Sequence, residues 1–141
     1  MTTIAFRDGV LAGDSRTCYG NSIETGIKRK VRKSRDGRLI GVCGTSSKVE
    51  PYALGLMNDA KVLPEIPKDE GRVIEVLPSG RVWIHEHGGK HCLGKLRFGA
   101  WGSGSDSARG ALAMGATAVE TVRVASTIDL YTDGRITVVR L

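Results

Sequence analysis

The residues at the start of the chain could supply a hydrolytic nucleophile. Once Met1 is removed, Thr2 carries a hydroxyl and a free α-amine on adjacent carbon atoms. The hydroxyl can attack a carbonyl, and the amine, with an unperturbed pKa of about 7.7–8.0, can take up its proton. Because threonine is β-branched, its χ1 angle is restricted and Oγ1 can be held in one direction. Many ordinary proteins begin with Met-Thr-Thr, so this interpretation depends on residues elsewhere in the chain.

Four further positions could complete such a site, although each also has an ordinary structural explanation. Asp14 lies at a predicted turn, and Lys30 belongs to a run of basic residues that solvent would accommodate. Gly44 lies in the stretch Gly-Val-Cys-Gly-Thr, where it could form a strand-end bulge. Ser103 lies in Gly-Ser-Gly and can cap the helix after it.

In order and spacing, Thr2 and these four residues resemble the proteasome β-subunits, and more closely the HslV-type bacterial proteases, of the N-terminal-nucleophile hydrolase family. The resemblance covers the first third of the chain and returns over residues 101–131, whereas the middle third matches poorly. It implies a threonine-type peptidase that hydrolyses peptide bonds through an acyl-enzyme formed on Thr2.

The resemblance assigns a role to each matched residue. Lys30 would lie near the α-amine and lower its pKa by disfavouring a second positive charge. Asp14 would be the partner that a buried lysine requires. Gly44 would donate its backbone N–H to the oxyanion, and Ser103 would hydrogen-bond the α-amine and help to shuttle protons.

The resemblance also implies a specificity pocket and a cation site, with no other cofactor required. Val42 would line the primary pocket together with Gly44, and its size favours small or medium apolar substrate side chains. Some family members hold the α-amine with an acid just before the last strands; the resemblance places Arg123 or its neighbours there, so this role is expected to be empty or filled differently. A monovalent cation near the active site would be held by three backbone carbonyls, those of Ser126, Asp129 and Thr132.

Peptidases of the HslV type act on unfolded polypeptide, and the resemblance implies a homo-oligomeric ring and an ATP-dependent unfoldase as partners. Other interpretations stay open at this stage. The chain could be a catalytically inactive scaffold or assembly protein of the same fold, or an amidase for a small molecule. Loss of Met1 separates the peptidase from the inactive scaffold, because only the peptidase requires it.

Composition limits the class of protein. The chain has 141 residues, which suits one domain spanning residues 1–141. Its net charge is +6, and seven Lys or Arg residues fall between positions 28 and 38; no aromatic residue is interleaved in this run, so nucleic-acid binding is disfavoured.

Three cysteines without CxxC spacing indicate a reducing compartment. Since no apolar run approaches the ~20 residues of a membrane span and the start has no signal-peptide pattern, a cytoplasmic protein is expected.

Turn residues between apolar runs predict β-hairpins. Three hairpins are expected over Asp8-Gly9, Asp36-Gly37 and Asp133-Gly134, and a fourth over Pro78-Ser79-Gly80. The strands expected to flank these turns, in chain order, are residues 3–6 with 10–12, 27–33 with 39–43, 72–77 with 81–86, and 128–131 with 135–139. Further strands are expected at residues 22–25 and 96–101.

Periodicity and capping residues predict three helices. The first is expected over residues 46–59 and the second over residues 105–114. The third is expected to open at a capping box formed by Thr117 and Glu120 and to end near residue 126.

This order of strands and helices indicates an α+β protein. By resemblance, the fold is a four-layer α-β-β-α sandwich of two antiparallel sheets, the Ntn-hydrolase fold. Residues 58–71 are proline-rich and too short for the second long helix of that fold, so the helix layer is expected to be shortened.

The direction of Lys30 is predicted differently by two arguments. Strand alternation places Val31 on the buried face and Lys30 on the opposite face. The resemblance instead predicts that Lys30 points inward and meets Asp14 near Thr2. A bulge, or a strand that is covered on both faces, would reconcile the two.

Histidines in the second half of the chain raise the possibility of a zinc site. His85 and His87 would share one face of a strand, and the glycines after them could turn the chain so that His91 and Cys92 approach them. The alternative is a polar strand face beside a loop.

Overall fold

The computed structural model describes residues 2–141. The helices are α1 (Ser46–Met57), α2 (Ser105–Ala113) and α3 (Ala118–Ser126). The strands, in chain order, are β1 (Ile4–Arg7), β2 (Val10–Gly13), β3 (Thr17–Tyr19), β4 (Ser22–Glu24), β5 (Val31–Lys33), β6 (Leu39–Gly44), β7 (Gly71–Val76), β8 (Arg81–Glu86), β9 (Gly89–Lys95), β10 (Phe98–Trp101) and β11 (Thr137–Arg140). None of the helices in this part of the chain is long and apolar enough to cross a membrane.

The strands form three antiparallel sheets. The first has four strands in the order β10-β1-β2-β11, the second is the β3-β4 hairpin, and the third has five strands in the order β5-β6-β7-β8-β9. Strand β1, which comes directly after Thr2 and Thr3, is therefore paired on both sides, with Ile4 opposite Gly13 on β2 and opposite Trp101 on β10. This pairing holds Thr2 and Thr3 inside the protein, where both are buried.

An apolar core joins the two larger sheets. Fully buried Ile4 and Leu11 from the first sheet pack with Leu39, Ile74 and Ile84 from the third. Each such side chain contributes roughly 1.5–3 kcal/mol of hydrophobic stabilisation when buried. On the outer face of the first sheet lie α2 and α3, whereas α1 packs on β6 and β7 of the third.

The predicted four-layer sandwich of two sheets is wrong. Within residues 2–141 the strands form three sheets and only three helices are present. The described segment 58–70 contains no helix, since prolines at 64 and 67 each remove an N–H donor and disfavour a helical residue before them. The third sheet consequently has no full helical layer, and most residues of β9 are exposed.

Local signals predicted several elements correctly. The hairpin over Asp8-Gly9 joins β1 to β2, and both turn residues have positive φ, 51° and 72°, as such turns require. The capping box of α3 is confirmed, because Glu120 N–H donates to Thr117 Oγ1 and Thr117 N–H donates to Glu120. The hairpins β5-β6 and β7-β8 are also confirmed.

Other local predictions are wrong. Residues 128–131 form turns, so that β11 has no hairpin partner there and pairs with β2 instead. Strands β3 and β9 were not predicted, and the strand expected over residues 27–33 begins only at Val31. The pairing of β11 depends on a strand that is distant in sequence, whereas β3 and β9 pair with their neighbours β4 and β8 through short turns.

A buried polar cluster lies on the α1 side of the third sheet. The carboxylate of Glu75 contacts His85 Nε2 at 2.8 Å and accepts from Arg38 Nη1 at 3.1 Å. Tyr52 of α1 completes the cluster through its hydroxyl, 2.8 Å from His85 Nδ1. Burial raises the pKa of Glu75, but the hydrogen bonds and charges of His85 and Arg38 outweigh burial, so the net pKa lies below its ordinary value.

Glu75→Gln is expected to destabilise the fold by about 2 kcal/mol at pH 7, since Arg38 and His85 lose a buried charged acceptor and Arg38 keeps only the more exposed Asp36 and Asp59. Because the folded-state pKa of Glu75 is lowered, its contribution is present above the unfolded pKa of about 4.3 and is lost as the pH falls through the folded value. The difference in the free energy of unfolding between Glu75→Gln and the original chain should therefore become smaller in acid. Urea denaturation at pH 7 and pH 3.5 measures this difference. Glu86→Gln, at a half-exposed residue, is the control. An equal loss of stability in Glu75→Gln at both pH values would contradict this prediction.

Candidate active site

Asp14 and Lys30 form a buried ion pair at the end of β2. The Lys30 Nζ atom lies 3.0 Å from both carboxylate oxygens of Asp14, and the two side chains are 3% and 1% exposed. Oδ1 of Asp14 also accepts the backbone N–H of Thr3 at 2.9 Å. The predicted contact between Asp14 and Lys30 is thus confirmed, and it lies one residue from Thr2.

Lys30 and Val31 are both buried. Strand alternation predicted a buried Val31 and the family resemblance predicted a buried Lys30, so the structure satisfies both predictions. Strand β5 begins at Val31, so Lys30 precedes the strand and the two-residue period does not constrain it. Val31 packs in the core between the sheets, while Lys30 turns toward Asp14. Burial lowers the pKa of Lys30, and the attraction of the Asp14 carboxylate opposes that shift.

A second chain of contacts reaches Thr2 from the opposite end of the sequence. The backbone nitrogen of Thr2 donates to Ser103 Oγ at 3.0 Å, and Ser103 Oγ donates to Asp129 Oδ2 at 2.7 Å. The same carboxylate oxygen accepts the hydroxyl of Thr132 at 2.5 Å. Thr132 Oγ1 in turn lies 2.6 Å from Thr3 Oγ1. Ser103 is therefore held by an acid that contacts the first residues of the chain indirectly.

Sequence reasoning missed the contact that the side chain of Asp129 makes. The resemblance places Arg123 or its neighbours at the position of an amine-holding acid, so that this role is empty or filled differently, and Arg123 is an exposed residue of α3. The resemblance gives Asp129 a role only through its backbone carbonyl, as a cation ligand. Its side chain, six residues after Arg123, contacts Ser103. An acid with a threonine three residues later, in the loop after α3, was the available signal.

Two glycines of the site allow segments of the backbone to approach each other closely. Gly44 has φ of 121°, and a Cβ there would overlap the carbonyl oxygen of Glu70. Gly102 has φ of 102°, and a Cβ there would overlap the carbonyl oxygen of Thr2. Any larger residue at either position would need a strained backbone and would displace a neighbouring strand or Thr2 itself.

Four of the predicted residues, Thr2, Lys30, Val42 and Gly44, line a cleft of about 610 Å³. Asp14 is bonded to Lys30 but lines a different pocket, beside α3, and Ser103 contacts the nitrogen of Thr2 without lining the cleft. Val42 is buried and forms an apolar part of the wall. Further lining comes from β3, β4, the start of α1 and the segment before β7, including Cys18, Tyr19, Ser46, Val49 and Glu70.

The two metal hypotheses have different outcomes. The cation site stays a prediction: the carbonyl of Asp129 accepts the N–H of Thr132 at 3.1 Å and still has a second lone pair. The zinc hypothesis is not supported, because within residues 2–141 no group of three His, Cys, Asp or Glu side chains is placed to hold a metal ion. His85 is buried against Glu75, whereas His87 and His91 contact Glu65 and Glu86 near the surface.

The basic run between residues 28 and 38 is largely neutralised within the protein. Lys28 and Arg32 share the carboxylate of Glu50, at 2.9 Å and 2.7 Å. Lys30 pairs with Asp14, and Arg38 pairs with three acids. The run therefore does not present a continuous positive surface to a nucleic acid.

Comparison with known proteins supports the fold alone. No protein-family model matches the sequence, and no match is found among curated proteins. Among solved structures, the chain is similar to a proteasome-type protein, Thiobacillus denitrificans BPH in complex with epoxomicin, with a TM-score of 0.67 and 18% sequence identity. The likeness covers 99% of this chain and 97% of that chain. The chain thus has a proteasome-like fold, and any catalytic role must be argued from its own residues.

Proposed function

We propose that this chain is a subunit of a threonine-type peptidase whose nucleophile is Thr2 after removal of Met1, a residue that lies outside the described part of the chain. The observation that carries the proposal is the placement of Thr2 at a cleft between two polar systems. Ser103 and Asp129 lie on the side of its nitrogen. Lys30 lines the same cleft and is paired with Asp14.

In the mechanism that we propose, Oγ1 of Thr2 attacks the substrate carbonyl and the α-amine takes up the hydroxyl proton. The nearby positive charge of Lys30 keeps this amine uncharged between turnovers. The backbone N–H of Gly44 would stabilise the oxyanion. The amine then returns its proton to the leaving nitrogen, and water hydrolyses the ester that remains on Thr2.

The similarity to a protein that holds epoxomicin supports the choice of probe. A peptide epoxyketone offers two electrophilic centres, which match the hydroxyl and the α-amine of an N-terminal threonine. We expect intact-mass spectrometry to show loss of one methionine residue and, after incubation, addition of one probe molecule per chain. Retained Met1 together with no adduct would overturn the proposal and favour the inactive scaffold.

Asp129→Asn is expected to lower kcat/KM by about 10²-fold with little change in stability, because proton transfer by a positioned group contributes about that much. An uncharged amide oxygen is a weaker acceptor than a carboxylate for the two hydroxyls that both donate to Oδ2, so the contact of Ser103 with the Thr2 nitrogen loosens. Peptide hydrolysis and urea denaturation measure the two effects. Asp133→Asn is the matched control, since it makes the same change of charge in a half-exposed neighbour that pairs with Arg16; equal losses in both variants would refute the assignment.

We also propose that the peptidase works on unfolded polypeptide as a homo-oligomer, with an ATP-dependent unfoldase as a possible partner. The β3-β4 hairpin at the cleft and the segment after it leave Tyr19, Ile23 and Ile27 at least 62% exposed. An isolated two-stranded hairpin is marginally stable in water, so cover by a second copy would stabilise it. Sedimentation velocity should show an assembly, and a monomer at high concentration would contradict this expectation.

A further inference from the structure

A second cleft, of about 370 Å³, adjoins the one that contains Thr2. Both are lined by Gly44 and Gly71, and the second is also lined by Gly102, whose backbone touches the carbonyl of Thr2. The two clefts therefore adjoin at Gly44, the proposed oxyanion donor, and together form one track. A polypeptide whose acyl side chain occupies the pocket beside Val42 would continue into the second cleft beyond the scissile bond.

The charges along this track are distributed unequally. In the first cleft, each lining cation is already paired at 3.0 Å or less: Arg16 with Asp133, Lys28 with Glu50, and Lys30 with Asp14. In the second cleft, the charged residues of the described lining are two arginines, Arg72 and Arg109.

Both arginines remain available to a ligand. Arg72 approaches Glu86 only to 3.7 Å, and Arg109 approaches the fully exposed Asp106 only to 3.5 Å. Their side chains are 46% and 55% exposed, so these ion pairs are screened and weak. Arg109 donates one hydrogen bond, to the carbonyl of Ala100, and a guanidinium has five N–H donors.

We propose that Arg72 and Arg109 form a carboxylate-binding subsite for the leaving side of the peptide, an inference that rests on the proposed function and gives it a substrate preference. The planar guanidinium matches a carboxylate through two parallel hydrogen bonds. The carboxylate can come from an Asp or Glu side chain at the second position after the scissile bond, or from the free C-terminus of a short peptide. The enzyme therefore cleaves preferentially before an acidic group.

Two pairs of internally quenched peptides test this preference. One pair differs only in Glu against Gln at the second position after the scissile bond, and the other only in a C-terminal acid against its amide. Product masses fix the bond that is cleaved. We expect the acidic member of one pair to have a kcat/KM about ten-fold higher than its partner, as two weak ion pairs allow; equal values in both pairs would overturn the proposal.

Variants assign the preference to the two arginines. Arg72→Gln and Arg109→Gln should each reduce the preference about three-fold, and the double variant should abolish it. Asp106→Asn, which frees Arg109 from its competing carboxylate, should raise the preference. Arg35→Gln, a change at an exposed arginine in the β5-β6 turn, should leave it unchanged. A preference that survives in the double variant would also overturn the proposal.

Failure of the peptidase proposal is measured separately. Labelling by the epoxyketone reports on Thr2 and not on the arginines. Binding of the four peptides to the Thr2→Ala chain, measured by calorimetry, requires no turnover. Tighter binding of an acidic peptide that is lost in the Arg72→Gln/Arg109→Gln background supports the subsite even without hydrolysis, whereas equal binding of all four overturns it.

Discussion

Thr2→Ala is expected to abolish peptide hydrolysis and labelling by the epoxyketone while leaving the fold intact. The substitution removes the only atom that the proposed mechanism uses for attack, and loss of a nucleophile costs on the order of 10⁴-fold or more in kcat. The backbone nitrogen remains in place to contact Ser103. Stability should therefore change by only about 1 kcal/mol.

Thr2→Ser is the matched control for this experiment, since it keeps the hydroxyl and the α-amine but loses the methyl group that restricts χ1. We expect it to retain labelling at a reduced rate. Both variants should be checked by intact mass, so that a failure to remove Met1 is not mistaken for a loss of chemistry. Undiminished hydrolysis in Thr2→Ala would refute the assignment of the nucleophile.

Asp14→Ala should have the largest effect on stability, a loss of about 3–5 kcal/mol, because it leaves the ammonium of Lys30 buried without its carboxylate. The N–H of Thr3 would lose its acceptor as well. Chemical denaturation at pH 7 measures the change. A cost below about 1 kcal/mol would show that Lys30 does not depend on this partner.

A double variant separates the structural part of the ion pair from its chemistry. Asp14→Ala combined with Lys30→Met replaces both charges with apolar groups, and such replacements are often neutral for stability. We expect the double variant to regain most of the stability lost in Asp14→Ala but to remain inactive, since no cation then keeps the α-amine uncharged. Recovered hydrolysis would contradict the role proposed for Lys30.

Features that depend on local chemistry were predictable from the sequence. The Asp8-Gly9 turn forms because its residues accept positive φ, and the Thr117 capping box forms because its two side chains are three residues apart. Residues 128–131 show the limit of such reasoning. Ile128 and Leu130 alternate as in a strand, but they are 66% and 81% exposed, and the intervening Asp129 contacts Ser103.

The arrangement of the layers was less predictable, because it depends on tertiary contacts and not on local chemistry. The number of sheets depends on which strands pair over long distances in sequence, as when β11 pairs with β2. The candidate site residues were easier to select from the sequence, because Asp14, Lys30, Gly44 and Ser103 occur in an order that resembles a known pattern. That order does not depend on the number of layers. The direction of Lys30 could not be derived from alternation, since the strand begins one residue later.

The position of β1 between β2 and β10 has a consequence for synthesis on the ribosome. β2 emerges directly after β1, but Trp101, the partner of Ile4 on the other side, and Ser103 emerge much later. Translation proceeds from the N-terminus at about 5–20 residues per second, so a nascent chain carries Thr2 for seconds before its surroundings exist. A topology with such distant contacts also folds slowly. The proposed protease is therefore inactive during its own synthesis. The contacts that position Thr2 can form only when the last third of the chain has been translated.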